Sequence, residues 1–252
     1  MFTVDAMTVR VHDTDTELAS DAAAEAAETI GAAIATRRVA NVMFATGNSQ
    51  LGFLDALSAR ADVEWDRLVG FHMDEYRGIP EDHPASFRRY LRERIVDRVH
   101  PGAFHFIAGD APDPDAECRR YAALLRAHPL DLCCLGIGEN GHLAFNDPPV
   151  ADFDDPLDVK VVALDDACRR QQVGEGHFAT VADVPVEAIT VTIPALLRAG
   201  RILANVPDAR KREPVRMALT GPVTTTCPAS ILRTRDHVTL HLDRSSAADV
   251  AA

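Results

Sequence analysis

The densest set of residues able to do chemistry lies between Gly136 and Pro148, in the sequence GIGENGHLAFNDP. Three glycines in six positions predict a backbone that turns sharply or closely approaches a ligand. His142 stands inside this stretch, and Asp147 follows five residues later. An imidazole titrates near neutral pH, and a carboxylate beside it fixes its tautomer and raises its basicity. The segment therefore predicts an acid–base centre. The alternative is a tight turn with an incidental histidine, while the GxGxxGH spacing fits neither a P-loop nor a dinucleotide fingerprint.

Two further segments carry suitable residues. The run Ala45–Ser49 follows an apolar strand and precedes a helix, so its backbone N–H groups and the helix N-terminus favour an anion. A plain strand-to-helix turn would have the same composition. Asp74 and Glu75 end another apolar strand, where one carboxylate could act as a base while the other makes structural hydrogen bonds. The alternative there is a solvated loop mouth.

Apolar runs of strand length alternate with helical patterns, which predicts a single domain over residues 1–252. Its fold class is α/β, with a Rossmann-like, doubly wound, mostly parallel sheet and helices on both faces. Ligands bind at the carboxyl ends of such strands, where the three segments above lie. We predict strands at Val39–Thr46, Leu68–Glu75, Phe104–Gly109, Asp131–Gly138, Val159–Leu164, Ala188–Ile193, Arg201–Val206, 231–235 and 238–242. We predict helices at Thr14–Arg37, Gln50–Arg60, Ala85–Val99, from Asp113 or Asp115 to about His128, and from Asp208 to Leu219.

The charge and the cysteine content of the chain limit the kinds of binding partner and the compartment that are expected. The formal net charge of −12 argues against binding to nucleic acid or to an anionic membrane surface, but leaves room for a local phosphate site. The N-terminus lacks the pattern of a signal peptide, and no apolar run is long enough to span a membrane. Five scattered cysteines predict reduced thiols and a cytoplasmic location, and the adjacent Cys133 and Cys134 should point to opposite faces of a strand.

Taken together, the three segments resemble the glucosamine-6-phosphate deaminases, within the broader group that also holds the 6-phosphogluconolactonases. The resemblance extends from about Val39 to Leu242, in the same order and with similar spacing. Its most specific part is the deaminase pattern G-x-G-x-(N/D)-G-H-x-(A/G)-F-N-E-P, which this chain matches except at Asp147. The lactonases lack the Phe-Asn-acid-Pro ending.

The resemblance implies conversion of glucosamine 6-phosphate and water to fructose 6-phosphate and ammonia, with no metal and no cofactor. By position, His142 would open the sugar ring, with Asn140 and Asp147 orienting it or stabilising its charge. Asp74 would remove the proton from C2. The expected partner is therefore a small phosphorylated amino sugar.

The same resemblance implies a substrate-binding and phosphate-binding set on two loops and one helix start. Lys211 would supply the countercharge for the phosphate. The remaining members of the set are Thr46, Gly47, Asn48, Ser49, Gly138 and Gly141.

Departures from the family leave several points open. Asp147 replaces a glutamate, which shortens the carboxylate by one methylene. The family's second phosphate-binding residue, an arginine, has no clear counterpart, and Arg169, Arg170 and His177 are the candidates. The acidic stretch after Pro149 does not match the basic allosteric site of some members, so we expect no such activation. The oligomeric state stays open, a homo-oligomer included.

Three other functions are compatible with these residues. One is deamination or isomerisation of another amino-sugar phosphate such as galactosamine 6-phosphate, and a second is 6-phosphogluconolactonase activity. The third is a non-catalytic sugar-phosphate sensor, which the presence of Asp74 and His142 disfavours. Two loops, 149–157 and 170–183, are candidates for a lid.

Overall fold

The structure is a computed structural model, and it describes residues 1–250. The strands are β1 Phe2–Val4, β2 Met7–His12, β3 Ala40–Phe44, β4 Leu68–His72, β5 Asp74–Tyr76, β6 Ala103–His105, β7 Leu132–Leu135, β8 Val159–Ala163, β9 Glu187–Val191, β10 Arg201–Val206 and β11 Val238–Asp243. The helices are α1 Asp15–Arg37, α2 Leu51–Ser58, α3 Phe87–Leu91, α4 Asp97–Val99, α5 Pro114–Ala127, α6 Asp166–Gly174, α7 Ile193–Leu197 and α8 Arg212–Thr220. A π-helical turn, Arg92–Val96, joins α3 to α4, so the predicted helix over 85–99 is confirmed.

The main sheet has eight strands in the order β1-β2-β11-β10-β7-β3-β4-β6. Only β1 is antiparallel to its neighbour, and the other pairs are parallel. The α/β fold with a mostly parallel sheet is therefore confirmed. Non-consecutive strands lie side by side, which requires crossovers through the helices that cover the sheet.

Two predicted strands lie outside this sheet. The runs at 159–164 and 188–193 form β8 and β9, which pair antiparallel with each other and with β5 in a second, three-stranded sheet. An apolar run shows that a strand is buried, but it does not specify which strand it pairs with. The chain leaves the main sheet after β4, and β5 then hydrogen-bonds to β9.

One predicted strand is wrong, and several elements were not predicted. The run at 231–235 is not a strand, because 231–234 belong to a 3₁₀ segment, Pro228–Thr234, in which residues 228–233 are buried. A proline in the first turn favours that helical start. Burial had made the run resemble a strand. The N-terminal strands β1 and β2 and helix α6 were not predicted, and β2 pairs with β11 to extend the sheet.

The core lies on both faces of the main sheet. Cys133 packs with Tyr121 of α5 on one face, and Cys134 packs with Phe53 of α2 on the other, so their predicted opposite directions are confirmed. Burying an aromatic side chain such as Phe53 stabilises the fold by about 1.5–3 kcal/mol. All five cysteines are buried free thiols. Within residues 1–250 no helix is long and apolar enough to cross a membrane.

Helix α1 is the longest helix and packs beside α2 on the second face. Thr14 caps its N-terminus by accepting a hydrogen bond from Glu17 N at 3.1 Å. Acidic residues in its first turn favour the positive end of the helix dipole. Its C-terminus ends at Arg38, which adopts a left-handed conformation with a φ of 65°.

Candidate active site

Four adjacent strands of the main sheet, β10, β7, β3 and β4, end at the same edge and lead into one cleft. The segments after Thr46, around Asp74 and after Gly136 meet there, as the strand-end rule predicts. The cleft is a concave opening at this edge of the sheet. It is lined by Ala45, Thr46, Gly47, Ser49, Met73, Asp74, Phe87, Gly136, Ile137, Gly138, His142, Ala144, Phe145, Gln171, Gln172, Glu175, His177 and Lys211.

His142 is held from behind by two oxygen atoms. Its Nδ1 lies 2.8 Å from Asn140 Oδ1 and 2.8 Å from Asp147 Oδ1. Asn140 Nδ2 also donates to Asp147 Oδ1 at 2.8 Å, which ties the three side chains together. Because Nδ1 faces two acceptors, the proton of the neutral ring is held there and Nε2 keeps its lone pair. Asn140 and Asp147 thus lie behind the ring, outside the cleft lining.

Gly138 sets the position of the imidazole ring. A Cβ at this residue would lie 2.1 Å from both Nε2 and Cε1 of His142, far inside van der Waals contact. Only glycine lets the ring lie against the backbone here. Gly141 does not line the cleft. Its φ is +83°, and a Cβ there would lie 2.9 Å from Cys227 Sγ. It shapes the turn that precedes His142.

The Asp147 carboxylate is buried. Burial on its own raises the pKa of Asp147, but the charge of His142 and hydrogen bonds from His142, Asn140 and the Cys168 thiol hold it below its ordinary value. Asp147 therefore stays ionised at neutral pH. Cys168 was not singled out for the site by the sequence, since its separation of 21 positions from Asp147 gives no local signal.

Asp74 and Glu75 lie in different environments. Glu75 is fully buried and accepts hydrogen bonds from Ser86 Oγ at 2.9 Å and from the backbone N–H groups of Phe87 and Arg88 at 3.1 and 2.9 Å. It thereby binds the start of α3. Asp74 lines the cleft and makes no side-chain hydrogen bond to residues 1–250. Burial first, and then the charges of Glu75 and Asp147, raise the pKa of Asp74 well above its usual range.

The loop after β3 also lines the cleft, through Thr46, Gly47 and Ser49, as does Lys211. Gly47 has a φ of +100°, and its carbonyl accepts a hydrogen bond from Tyr90 Oη at 2.9 Å. Lys211 is 5% exposed, and burial lowers the pKa of its ammonium group, against the opposing charge of Glu175. Asn48 does not line this cleft. Its amide donates to Glu175 O at 3.3 Å, and it borders an adjoining depression that also contains Lys211.

Of the three candidates for a second phosphate contact, only His177 lines the cleft. Its Nε2 lies 3.4 Å from Glu175 Oε2. Arg169 donates to the carbonyl of Val184 at 3.2 Å, so its guanidinium faces the backbone. Arg170 borders a separate depression behind α6.

The cleft wall also includes residues that the sequence did not identify. Gln171, Gln172 and Glu175 come from α6 and the residue that follows it, and Gln172 accepts a hydrogen bond from Tyr76 Oη. Gln171 Nε2 donates to Glu175 Oε1 at 2.8 Å. The 170–183 region therefore forms part of the cleft wall, while none of the described residues 149–157 line it.

Comparison with known proteins gives consistent matches. Residues 13–241 match the family described as glucosamine-6-phosphate isomerases/6-phosphogluconolactonase. A glucosamine-6-phosphate deaminase from Exiguobacterium sibiricum is 37% identical over 206 residues, which cover 81% of this chain and 78% of that protein. A solved monomeric glucosamine-6-phosphate deaminase superimposes with a TM-score of 0.87 at 31% identity, over 96% of this chain and 99% of that one. A 6-phosphogluconolactonase from Shewanella baltica shares the fold, with a TM-score of 0.78 at 18% identity over 96% and 99% of the two chains.

Proposed function

The chain belongs to the family of glucosamine-6-phosphate isomerases and 6-phosphogluconolactonases, and on that premise we propose that it is a glucosamine-6-phosphate deaminase. The reaction converts glucosamine 6-phosphate and water to fructose 6-phosphate and ammonia. One observation carries the proposal: the cleft contains two separate proton-transfer groups, His142 and Asp74, together with a buried lysine, Lys211.

Ring opening falls to His142 in this proposal. Nδ1 holds its proton against Asp147 and Asn140, so Nε2 can take the proton of the C1 hydroxyl and deliver one to the ring oxygen. The imidazole ring of His142 is cationic between these two proton transfers, and the ionised Asp147 stabilises that charge. The product is the open-chain aldehyde, whose C2 hydrogen is acidified by the neighbouring carbonyl.

Isomerisation falls to Asp74. Its carboxylate removes the proton from C2 and leaves an enolamine, which becomes a C2 imine when C1 is protonated. Water then hydrolyses the imine, releasing ammonia and the ketose phosphate. A carboxylate with few hydrogen bonds and a raised pKa is a stronger base than an exposed one, which suits the removal of a carbon-bound proton.

Phosphate binding is assigned to the Thr46–Ser49 loop, Lys211 and His177. Backbone N–H groups at a strand-to-helix turn and a buried ammonium group together provide charge-assisted hydrogen bonds. A phosphate bound there would leave the sugar in the same cleft as the two proton-transfer groups, His142 and Asp74. We place the reaction in the cytoplasm, since the buried free thiols suit a reducing compartment.

The test is a direct assay on three substrates. The enzyme is incubated with glucosamine 6-phosphate, galactosamine 6-phosphate and 6-phosphogluconolactone, and ammonia, fructose 6-phosphate and acid release are measured. Equal amounts of ammonia and fructose 6-phosphate from the first substrate are expected, with His142→Ala as the inactive control. Lactone hydrolysis without ammonia release from either amino sugar would instead assign the cleft to a lactonase.

A further inference from the structure

A second cluster of chemically active side chains lies apart from the cleft, under helix α1. It joins three elements, since His12 ends β2, His241 lies in β11, and Asp21 and Glu25 lie one turn apart on α1. β2 and β11 are adjacent parallel strands with His241 in register with Arg10, which places the two imidazoles on the same face of the sheet. The two rings are nearly parallel, with an angle of 14° between their planes, and their centroids lie 5.4 Å apart.

Three ligand-type atoms converge at this point. His12 Nε2 lies 3.2 Å from His241 Nδ1, and Asp21 Oδ2 lies 3.9 and 4.0 Å from these two nitrogens. A point equidistant from the three atoms is about 2.2 Å from each, which follows from these separations. Zinc bonds to imidazole nitrogen and carboxylate oxygen measure about 2.0–2.2 Å. The triangle therefore has the size of a divalent-metal site.

The surroundings of His241 match those of a metal-bound histidine. The residue is fully buried, and its second ring nitrogen, Nε2, lies 3.3 Å from Glu25 Oε2. A proton on Nε2, the ring nitrogen nearer to this carboxylate, would leave the lone pair on Nδ1, which is the nitrogen that faces His12 and Asp21. Metal-bound histidines usually have a carboxylate or a carbonyl near their other ring nitrogen.

Glu25 is itself fixed in place. Thr239 Oγ1 donates to its Oε1 at 2.8 Å, and the Arg201 guanidinium pairs with the same oxygen. These two contacts fix the Glu25 carboxylate beside His241. Arg10 Nη1 donates to Asp21 Oδ2 at 3.0 Å, which orients that carboxylate and leaves it a further lone pair.

We propose that His12 Nε2, His241 Nδ1 and Asp21 Oδ2 form a binding site for a divalent transition metal, with zinc the best fit to two imidazoles and one carboxylate. Glu25 orients His241, and the half-exposed Asp21 gives access from solvent. A bound ion would join α1, β2 and β11, so its role is to stabilise the N-terminal edge of the main sheet. A protein that binds an ion only when folded gains stability with the concentration of that ion.

The test uses the full chain, treated with a chelator and then titrated with ZnCl₂ by calorimetry. We expect one zinc ion per chain and a rise in Tm of about 5 °C at 100-fold excess over Kd. His12→Gln and Asp21→Asn change partly exposed residues, and each should weaken binding by at least tenfold. His100→Asn is the matched control, because it removes an exposed imidazole elsewhere and tolerates the left-handed backbone there. It should bind zinc as the wild type does.

Cobalt substitution separates this site from the one other cluster of metal-binding type among residues 1–250, His142, Asp147 and Cys168. Co²⁺ at the proposed site has nitrogen and oxygen ligands and gives visible d–d bands without a thiolate charge-transfer band. A thiolate band, or zinc affinity that survives both His12→Gln and Asp21→Asn, would overturn the proposal. Absence of zinc binding to the wild type would also overturn it and leave a hydrogen-bonded ion-pair cluster only.

Discussion

Asp147 reaches His142 in spite of its short side chain: Asp147 Oδ1 lies 2.8 Å from His142 Nδ1. The family pattern has a glutamate at this position, so the side chain of this chain is shorter by one methylene. The turn from Leu143 to Asn146 brings the backbone of Asp147 close enough to keep it, with Asn146 N donating to Leu143 O at 3.1 Å. Asn140 joins the same carboxylate oxygen.

Asp147→Asn should lower kcat for ammonia release by roughly 10²-fold or more. The amide keeps the shape of the carboxylate, but it removes the charge that stabilises a cationic His142 and can force the wrong ring tautomer. Steady-state kinetics would measure the effect, with circular dichroism to verify folding. The control is Asp147→Glu, which restores the family residue and should stay within about tenfold of the wild type. An Asn variant as active as the Glu variant would remove the charge from the mechanism.

Gly138→Ala should lower kcat by about 10²-fold while the protein still folds. The added Cβ would lie 2.1 Å from His142 Nε2, so the ring must rotate or shift away from its present position. A displacement of about 1 Å at a catalytic group commonly costs that much. Gly31→Ala offers a matched control, since a Cβ there meets nothing within 4 Å. Unchanged kcat in Gly138→Ala would show that the ring position is irrelevant to turnover.

The acidic limb of the kcat/KM profile should lie well above pH 4, where an ordinary aspartate titrates. Burial, followed by the charges of Glu75 and Asp147, raises the pKa of Asp74. A base works only when ionised, so activity is lost as the pH falls through this raised pKa. Asp147→Asn removes one of the repelling charges and should move the limb to lower pH. A limb that stays in place would mean that another group sets it.

Asp74→Asn should abolish exchange of the C2 hydrogen with solvent and raise Tm by about 2–4 °C at neutral pH. The folded pKa of Asp74 is raised, so its burial costs stability at pH values above the unfolded pKa, and an amide escapes that cost. Proton NMR in deuterated water and thermal unfolding measure the two effects. At pH values where Asp74 is protonated in both states, the Tm difference should vanish. A less stable Asn variant would contradict the unpaired state of this carboxyl.

Lys211→Ala should raise KM for glucosamine 6-phosphate by roughly 10–100-fold, the worth of a charge-assisted hydrogen bond to phosphate. Glucosamine without phosphate should react with nearly the same kcat/KM in both enzymes. Arg210→Ala is the neighbouring control, because Arg210 pairs with Asp208 at 3.1 Å outside the cleft. Equal losses on both substrates would contradict the phosphate assignment.

Sequence reasoning located the strand ends well because local composition determines them. Residues after β3, β4 and β7 are small, polar or titratable, and a parallel sheet brings such ends together whatever the helices do. The second sheet could not be foreseen, because the pairing of β5 with β9 joins residues more than 100 positions apart. Long sequence separation also explains why Cys168 and Gln172 were not predicted, since they reach the site only through the packing of α6.

A different limit applies to the second phosphate contact, for which the sequence offers Arg169, Arg170 and His177. All three are basic, and their order in the chain does not distinguish them. The directions of these side chains depend on helix α6 and on the turn that follows it. Arg169 donates to a backbone carbonyl, whereas His177 lines the cleft. The phase of helix α6 determines which way its two arginines point. The apolar periodicity of this helix is too weak for the sequence to predict it.

The register of β5 against β9 is what distinguishes two adjacent carboxylates. Asp74 lies opposite Thr190 and Glu75 opposite Ile189, and successive side chains of a strand leave on opposite sides. A slip of one position would turn Glu75 toward the cleft and leave the start of α3 without its acceptor. The number of residues between β4 and β5 therefore determines which carboxylate faces the cleft. An insertion there that shifted the register by one position would put Glu75 in the place of the base, Asp74, without changing either side chain.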